Sequence, residues 1–284
     1  MKDQKETNSA RWFETRSGNA SLWLSLSILA ALLAIAGNIV ALVVPGIYAS
    51  LTVAFLPQAI AQDIASLVMV SPLWLILAFL ALRGSLRAYL LWLGVLTFTV
   101  YNYVIYTFSV PFGSLFLLWV AVLGLTLFAL IGGVVSVDHE VVKSSFKSQR
   151  AIKVVAWFLI VTGFLFAFLW LSEDVPALLS GNTPQSLVDM AIPTNPVHIL
   201  DLGFFLPAVM ITGILLLKQK PFAYTVTPAF LVFLILTGIP ILITPFVQSA
   251  RGQTAGWGVF VPIGTLTMLL LGLLVWLNST IYSD

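Results

Sequence analysis

Eight runs of about twenty apolar residues constrain this chain more than any other feature. They lie at roughly 22–45, 63–82, 88–108, 112–136, 151–172, 197–217, 222–247 and 257–280. Some 20 predominantly apolar residues are needed to carry a helix across the hydrocarbon of a bilayer. The runs are continuous, unlike the alternating strands of a membrane barrel. Only helices satisfy their own backbone hydrogen bonds inside lipid. The sequence therefore predicts an all-α, polytopic transmembrane bundle of about eight spans. With 60% hydrophobic and 8% charged residues, the chain has the composition of a protein whose main solvent is lipid. It contains no cysteine, which excludes disulfides, thiol redox chemistry and thiolate metal sites. No basic cluster is dense enough for nucleic acid.

Lysine and arginine set the orientation. Twelve of the thirteen fall on one side of an eight-span chain: Lys2, Lys5, Arg11, Arg16, Arg83, Arg87, Lys143, Lys147, Arg150, Lys153, Lys218 and Lys220. Only Arg251 falls on the other. The expectation is a 1–21 cytoplasmic tail, a 137–150 cytoplasmic loop and both termini inside. The first apolar run has the charged lead and small-x-small site (Ala34–Ala36) of a signal peptide. It continues to Val44, however, which suits an uncleaved span better.

Two outer loops are long. "GIYASLTVAFLPQAIAQ" (46–62) is apolar enough to lie at the interface, and 172–194 is polar with proline and glycine turns. Each follows the first span of a four-span set, which invites comparison of the halves. "PLWLILAFLALRGSLRAY" from Pro72 and "PAVMITGILLLKQKPFAY" from Pro207 share six of eighteen positions without gaps, ending in Ala88-Tyr89 and Ala223-Tyr224. The expectation is two four-span repeats, 22–136 and 151–280, related by an axis along the membrane normal.

Polar residues gather at the outer ends of the spans. Asn195 and Pro196 suit the start of span six, which puts His198 and Asp201 on one face of its first turns. Gln62 and Asp63 begin span two. Tyr101, Asn102 and Tyr103 lie roughly 20 Å along span three, in its outer third. Asn38 is in the outer third of span one. Polar side chains within spans usually face the bundle interior or a wet cavity. The candidate binding residues are Asn38, Asp63, Asn102, Tyr103, His198 and Asp201, expected to line one outward-facing pocket. The plainer alternatives are a helix anchor for the His198–Asp201 pair, an interface belt for the tyrosines, an interhelical bond for Asn102 and a cap for Asp63.

A histidine beside an aspartate suits a general base, a proton relay or one metal ligand. One histidine with carboxylates (Asp201, Asp63, Glu173, Asp174) is a poor zinc set, and no metal or cofactor is assigned. GxSxG, HExxH and phosphate-binding glycine loops are missing from the sequence. His139, in "DHEVVKSSFKSQR", reads as part of a solvated connection.

At "NPVHILDLGFFLPA", "AQDIASL" and "VYNYVIYTF" the chain resembles an uncharacterised group of bacterial multipass membrane proteins with these motifs in the same order. The resemblance implies a bacterial inner membrane and makes Asp63, Asn102, His198 and Asp201 the natural site candidates; it implies no mechanism. Three functions are expected to compete. The first is binding, with or without transport, of a small molecule, lipid headgroup or ion in the outer pocket. The second is a membrane-embedded enzyme acting on a lipid or isoprenoid through the His–Asp pair. The third is a non-catalytic assembly or sensor subunit. The expected partners are the lipid bilayer and a small-molecule or lipid ligand.

Overall fold

The computed structural model describes residues 20–282. The 1–21 tail expected to be cytoplasmic lies almost wholly outside them. Eight helices are long and apolar enough to cross a membrane: α1 (Ala20–Val43), α2 (Leu56–Leu82), α3 (Leu86–Ser109), α4 (Phe116–Val135), α6 (Gln149–Ser180), α8 (Pro196–Leu217), α9 (Pro221–Ala250) and α10 (Trp257–Ser279). Two short helices, α5 (His139–Ser144) and α7 (Gln185–Met190), sit in connections. Among the described residues there is no strand, only an isolated bridge between Phe146 and Ile281. The polytopic all-α bundle is thus as the sequence predicts.

Two spans are longer than the hydropathy indicates. α2 begins at Leu56, because Pro57 fits a first helical turn, so the loop before it shrinks to 44–55. α6 continues past residue 172 to Ser180 and ends at Gly181, whose φ of +69° accommodates the left-handed cap. At 32 residues it is about 48 Å long, more than the roughly 30 Å that crossing the hydrocarbon requires. The 137–150 connection also differs from a solvated loop. Asp138 caps α5, accepting from the Glu140 and Val141 amides at 3.0 and 3.3 Å, and His139 Nδ1 lies 2.9 Å from Thr225 Oγ1 on α9.

α3 is the most buried span and α10 the least. α3 packs on α9, α4 and α2, while α9 packs on α3, α10 and α8. α9 also covers the first part of α2, and α3 touches the start of α8. The α3–α9 approach is close because Gly94 has no side chain: a Cβ there would lie 2.7 Å from Ala229 O and 2.5 Å from Val232 Cβ.

Both α2 and α8 contain one widened turn. The Ser71 amide donates to Ser66 O, and the Leu206 amide to Asp201 O, five residues back instead of four. Each is followed by a proline, Pro72 or Pro207. A proline ring clashes with the carbonyl four residues earlier, and widening the turn relieves that clash. The offset of 135 residues that aligns Pro72 with Pro207 also aligns the widened turns (Ser66–Val70, Asp201–Phe205) and the helix ends (Leu82, Leu217). It aligns the left-handed residues too, Gly84 at φ +90° and Gln219 at φ +54°. At the same offset Asp63 corresponds to His198, and Gly94 to the Ala229 it touches.

Candidate functional site

The polar residues expected to line one pocket form two groups, on α8 with α6 and on α2 with α3. In the first, Asn195 caps α8 as expected. Its Oδ1 accepts from the Val197 and His198 amides at 3.0 and 3.4 Å, which fixes the first turn and points His198 inward, 5% exposed. α6 supplies the opposing face. Trp170, Glu173 and Asp174 are spaced i, i+3, i+4 and so share one side of that helix.

The histidine's carboxylate partner is Asp174 rather than Asp201. His198 Nδ1 lies 2.9 and 3.1 Å from the two Asp174 oxygens, and Nε2 is 3.8 Å from Glu173 Oε2. A carboxylate only accepts, so Nδ1 carries the proton and Nε2 faces Glu173. The Trp170 indole stacks on the imidazole, centroids 4.5 Å apart at 30°, and its Nε1 donates to Asp201 Oδ2 at 2.8 Å. Tyr101 of α3 meets the same Asp201 carboxyl. Glu173 accepts a hydrogen bond from Ser186 on α7. Asp174 and Glu173 are partly exposed, with side chains 28% and 37% accessible, whereas Asp201 is buried.

In the second group Asp63 is 1% exposed. The Tyr48 hydroxyl, from the 44–55 loop, donates to Oδ2 at 2.7 Å, and the Tyr106 hydroxyl donates to Oδ1 at 2.8 Å. Burial first, and the adjacent Asp63 second, push the Tyr48 phenol well above its usual range. Tyr103 stacks on Tyr106, centroids 5.7 Å apart. Tyr101, Tyr103 and Tyr106 are all buried and line no interface belt, and Asp63 makes no cap. Asn102 lies beside the widened turn of α2, lining an internal cavity of about 10 Å³ with Ser66, Ser71, Trp74, Thr99 and Tyr103. Asn38, on α1, is buried and its Nδ2 has no partner.

α3 therefore separates and links the groups, Tyr101 reaching Asp201 and Tyr106 reaching Asp63. Among the described residues the only contacts between a basic and an acidic side chain are those of His198, and no group of three acidic, histidine or cysteine side chains is arranged to hold a metal. The arrangement can hold a small cationic or hydrogen-bonding group at Glu173 and Nε2, or move a proton through His198. Trp170 and Tyr48 are not among the residues the sequence singles out, and Asp174 enters there only as a carboxylate for a metal. The readable signal was the W-x-x-E-D spacing, which makes one face only if span five is extended. No protein-family model matches the chain, and neither a curated protein nor a solved structure matches it.

Proposed function

We propose that this chain is a multi-pass protein of the bacterial inner membrane, with both termini cytoplasmic, that binds a small molecule, lipid headgroup or ion at its outer face and moves it across. The carrying observation is the acidic cradle of Glu173, Asp174 and Asp201 around His198 and Trp170. No lysine or arginine forms an ion pair with it among the described residues. Such a cradle selects a cationic group, which the indole face also favours. The lysine and arginine asymmetry supports the orientation. The resemblance to bacterial multipass proteins supports the location. The shared 135-residue offset of widened turns and helix ends supports two four-span repeats, a common plan for carriers with a site between halves.

The test is native mass spectrometry of the detergent-purified protein, wild type beside the Asp174→Asn/His198→Ala double variant. A bound mass carried by the wild type alone is expected. Identical spectra would remove tight binding at this cradle. A second reading, a membrane-embedded enzyme acting on an outer-leaflet lipid, is favoured by one observation: the 2.9 Å Asp174–His198 contact is that of an oriented general base. Turnover of added lipid that is lost in His198→Ala, with the fold kept, would select it.

A further inference from the structure

We infer that Asp63 is a proton-binding site whose occupancy is tied to the Asp174–His198–Asp201 cradle, so that the ion coupled to ligand movement is a proton. The inference rests on the proposed binding function and goes beyond it by naming the coupling ion.

Asp63 is walled in by phenols. The ionisable groups that face it are Tyr48 from the outer loop and Tyr106 and Tyr103 from α3. α1 carries no ionisable residue, and α9 carries only Tyr224, near its opposite end. A carboxylate excluded from water is costly even when hydrogen-bonded, and a proton or a metal ion relieves that cost. A metal would need several oxygen ligands, yet each Asp63 oxygen already holds a phenol at 2.7–2.8 Å, and among the described residues no second acidic or histidine side chain completes a shell. A proton displaces neither phenol. The step is simple acid–base exchange: the carboxylate takes up H⁺ as the carboxylic acid and returns it, while both phenols keep theirs.

The site has neighbours in both directions along the membrane normal. Outward, Tyr48 belongs to the 44–55 loop. Inward, Tyr103 borders both the Asp63 phenols and the cavity at the widened turn. Polar side chains of Ser66, Ser71, Thr99 and Asn102 line that cavity together with the Trp74 indole. Asn102 is 6% exposed, and the buried Trp74 Nε1 donor has no partner. A space of about 10 Å³ lined by donors and acceptors suits one water, a species that can both take and pass a proton.

α3 supplies the connection. Tyr106 holds Asp63, and Tyr101, five residues earlier on the same rigid helix, meets Asp201 of the cradle. A shift of α3 on ligand binding therefore alters the donor set of Asp63, and the charge on Asp63 alters the seat of Tyr101.

The experiment is infrared difference spectroscopy between acid and alkaline buffer, on protein reconstituted in phosphatidylethanolamine–phosphatidylglycerol vesicles, with the proton as the only probe. The expected result is a buried carboxyl C=O band, shifted in D₂O, that is lost in Asp63→Asn. Tyr106→Phe keeps the carboxyl but removes a donor, so the band should move to higher frequency. This second variant serves if Asp63→Asn does not fold. An unchanged band in both variants, or no titrating band in the wild type, overturns the site. Tyr101→Phe should move the pH midpoint of the Asp63 band, and an unmoved midpoint overturns the link to the cradle. Loss of the ligand reading alone would show as identical native mass spectra with the Asp63 band intact.

Discussion

Gly94→Ala should destabilise the bundle, while the same substitution at Gly124 should stabilise it. Both glycines lie inside spans, and in each case alanine improves intrinsic helix propensity by about 1 kcal/mol. Their surroundings differ. A Cβ at Gly94 would stand 2.5 Å from Val232 Cβ and 2.7 Å from Ala229 O, against an ordinary carbon contact of roughly 3.5–4.0 Å. Neither neighbour can swing away, since one is a helix carbonyl and the other a β-carbon fixed to its backbone. α3 and α9 must instead part by about 1 Å, loosening contacts along the whole crossing. Overpacking of this kind costs about 1–3 kcal/mol, which outweighs the propensity gain at the upper end. The expected net loss is up to about 2 kcal/mol. At Gly124 nothing lies within 4 Å of the added carbon, so only the gain remains, about 0.5–1 kcal/mol. Equilibrium unfolding in mixed detergent and denaturing-detergent micelles measures both. A Gly94→Ala variant as stable as Gly124→Ala would refute the close α3–α9 crossing and, with it, the route from Tyr101 to Tyr106 through a rigidly held α3.

Three further outcomes are expected. Trp170→Phe removes the 2.8 Å donor to the buried Asp201 and should lower unfolding stability by about 1–2 kcal/mol in the same assay. Gln219 holds φ +54° where its counterpart Gly84 holds +90°, so Gln219→Gly should stabilise by about 0.5–1 kcal/mol and Gly84→Gln should destabilise by at least as much. The chain has no cysteine, so Asn182→Cys and Ser144→Cys, both at exposed positions, can be labelled without background. In intact cells an impermeant maleimide should reach the first and not the second, and the reverse pattern would invert the orientation.

The spans were legible in the sequence because bilayer thickness imposes a length that hydropathy reports directly. Counting along those spans assigns Asp63, Asn102 and His198 to one depth. Their grouping did not follow. A helix apolar on nearly every side gives no periodic signal of which way it faces, so Asp63 and His198 could be placed at one depth but not on one wall. Tyr48 escaped notice because its loop read as interfacial, and Tyr106 because tyrosine near a span end usually meets headgroups. Trp170, Glu173 and Asp174 were split between span and loop, since the charged pair suggested that the helix had ended. On a helix that outruns the hydrocarbon, those charges reach water without breaking it.

A widened turn is, in sequence terms, one extra residue inserted into a helix. Each inserted residue rotates everything before it by roughly 100° relative to everything after it. Deleting one residue from Ser66–Val70 would return α2 to a regular helix and swing Asp63 away from Tyr106, with the inner half of the span undisturbed. The same holds for Asp201–Phe205 and His198. If the two halves descend from one ancestral four-span unit, the insertion at a shared register is older than the duplication. The acid in one half and the base in the other are then later divergences at a single inherited position, turned toward the bundle by the same added residue.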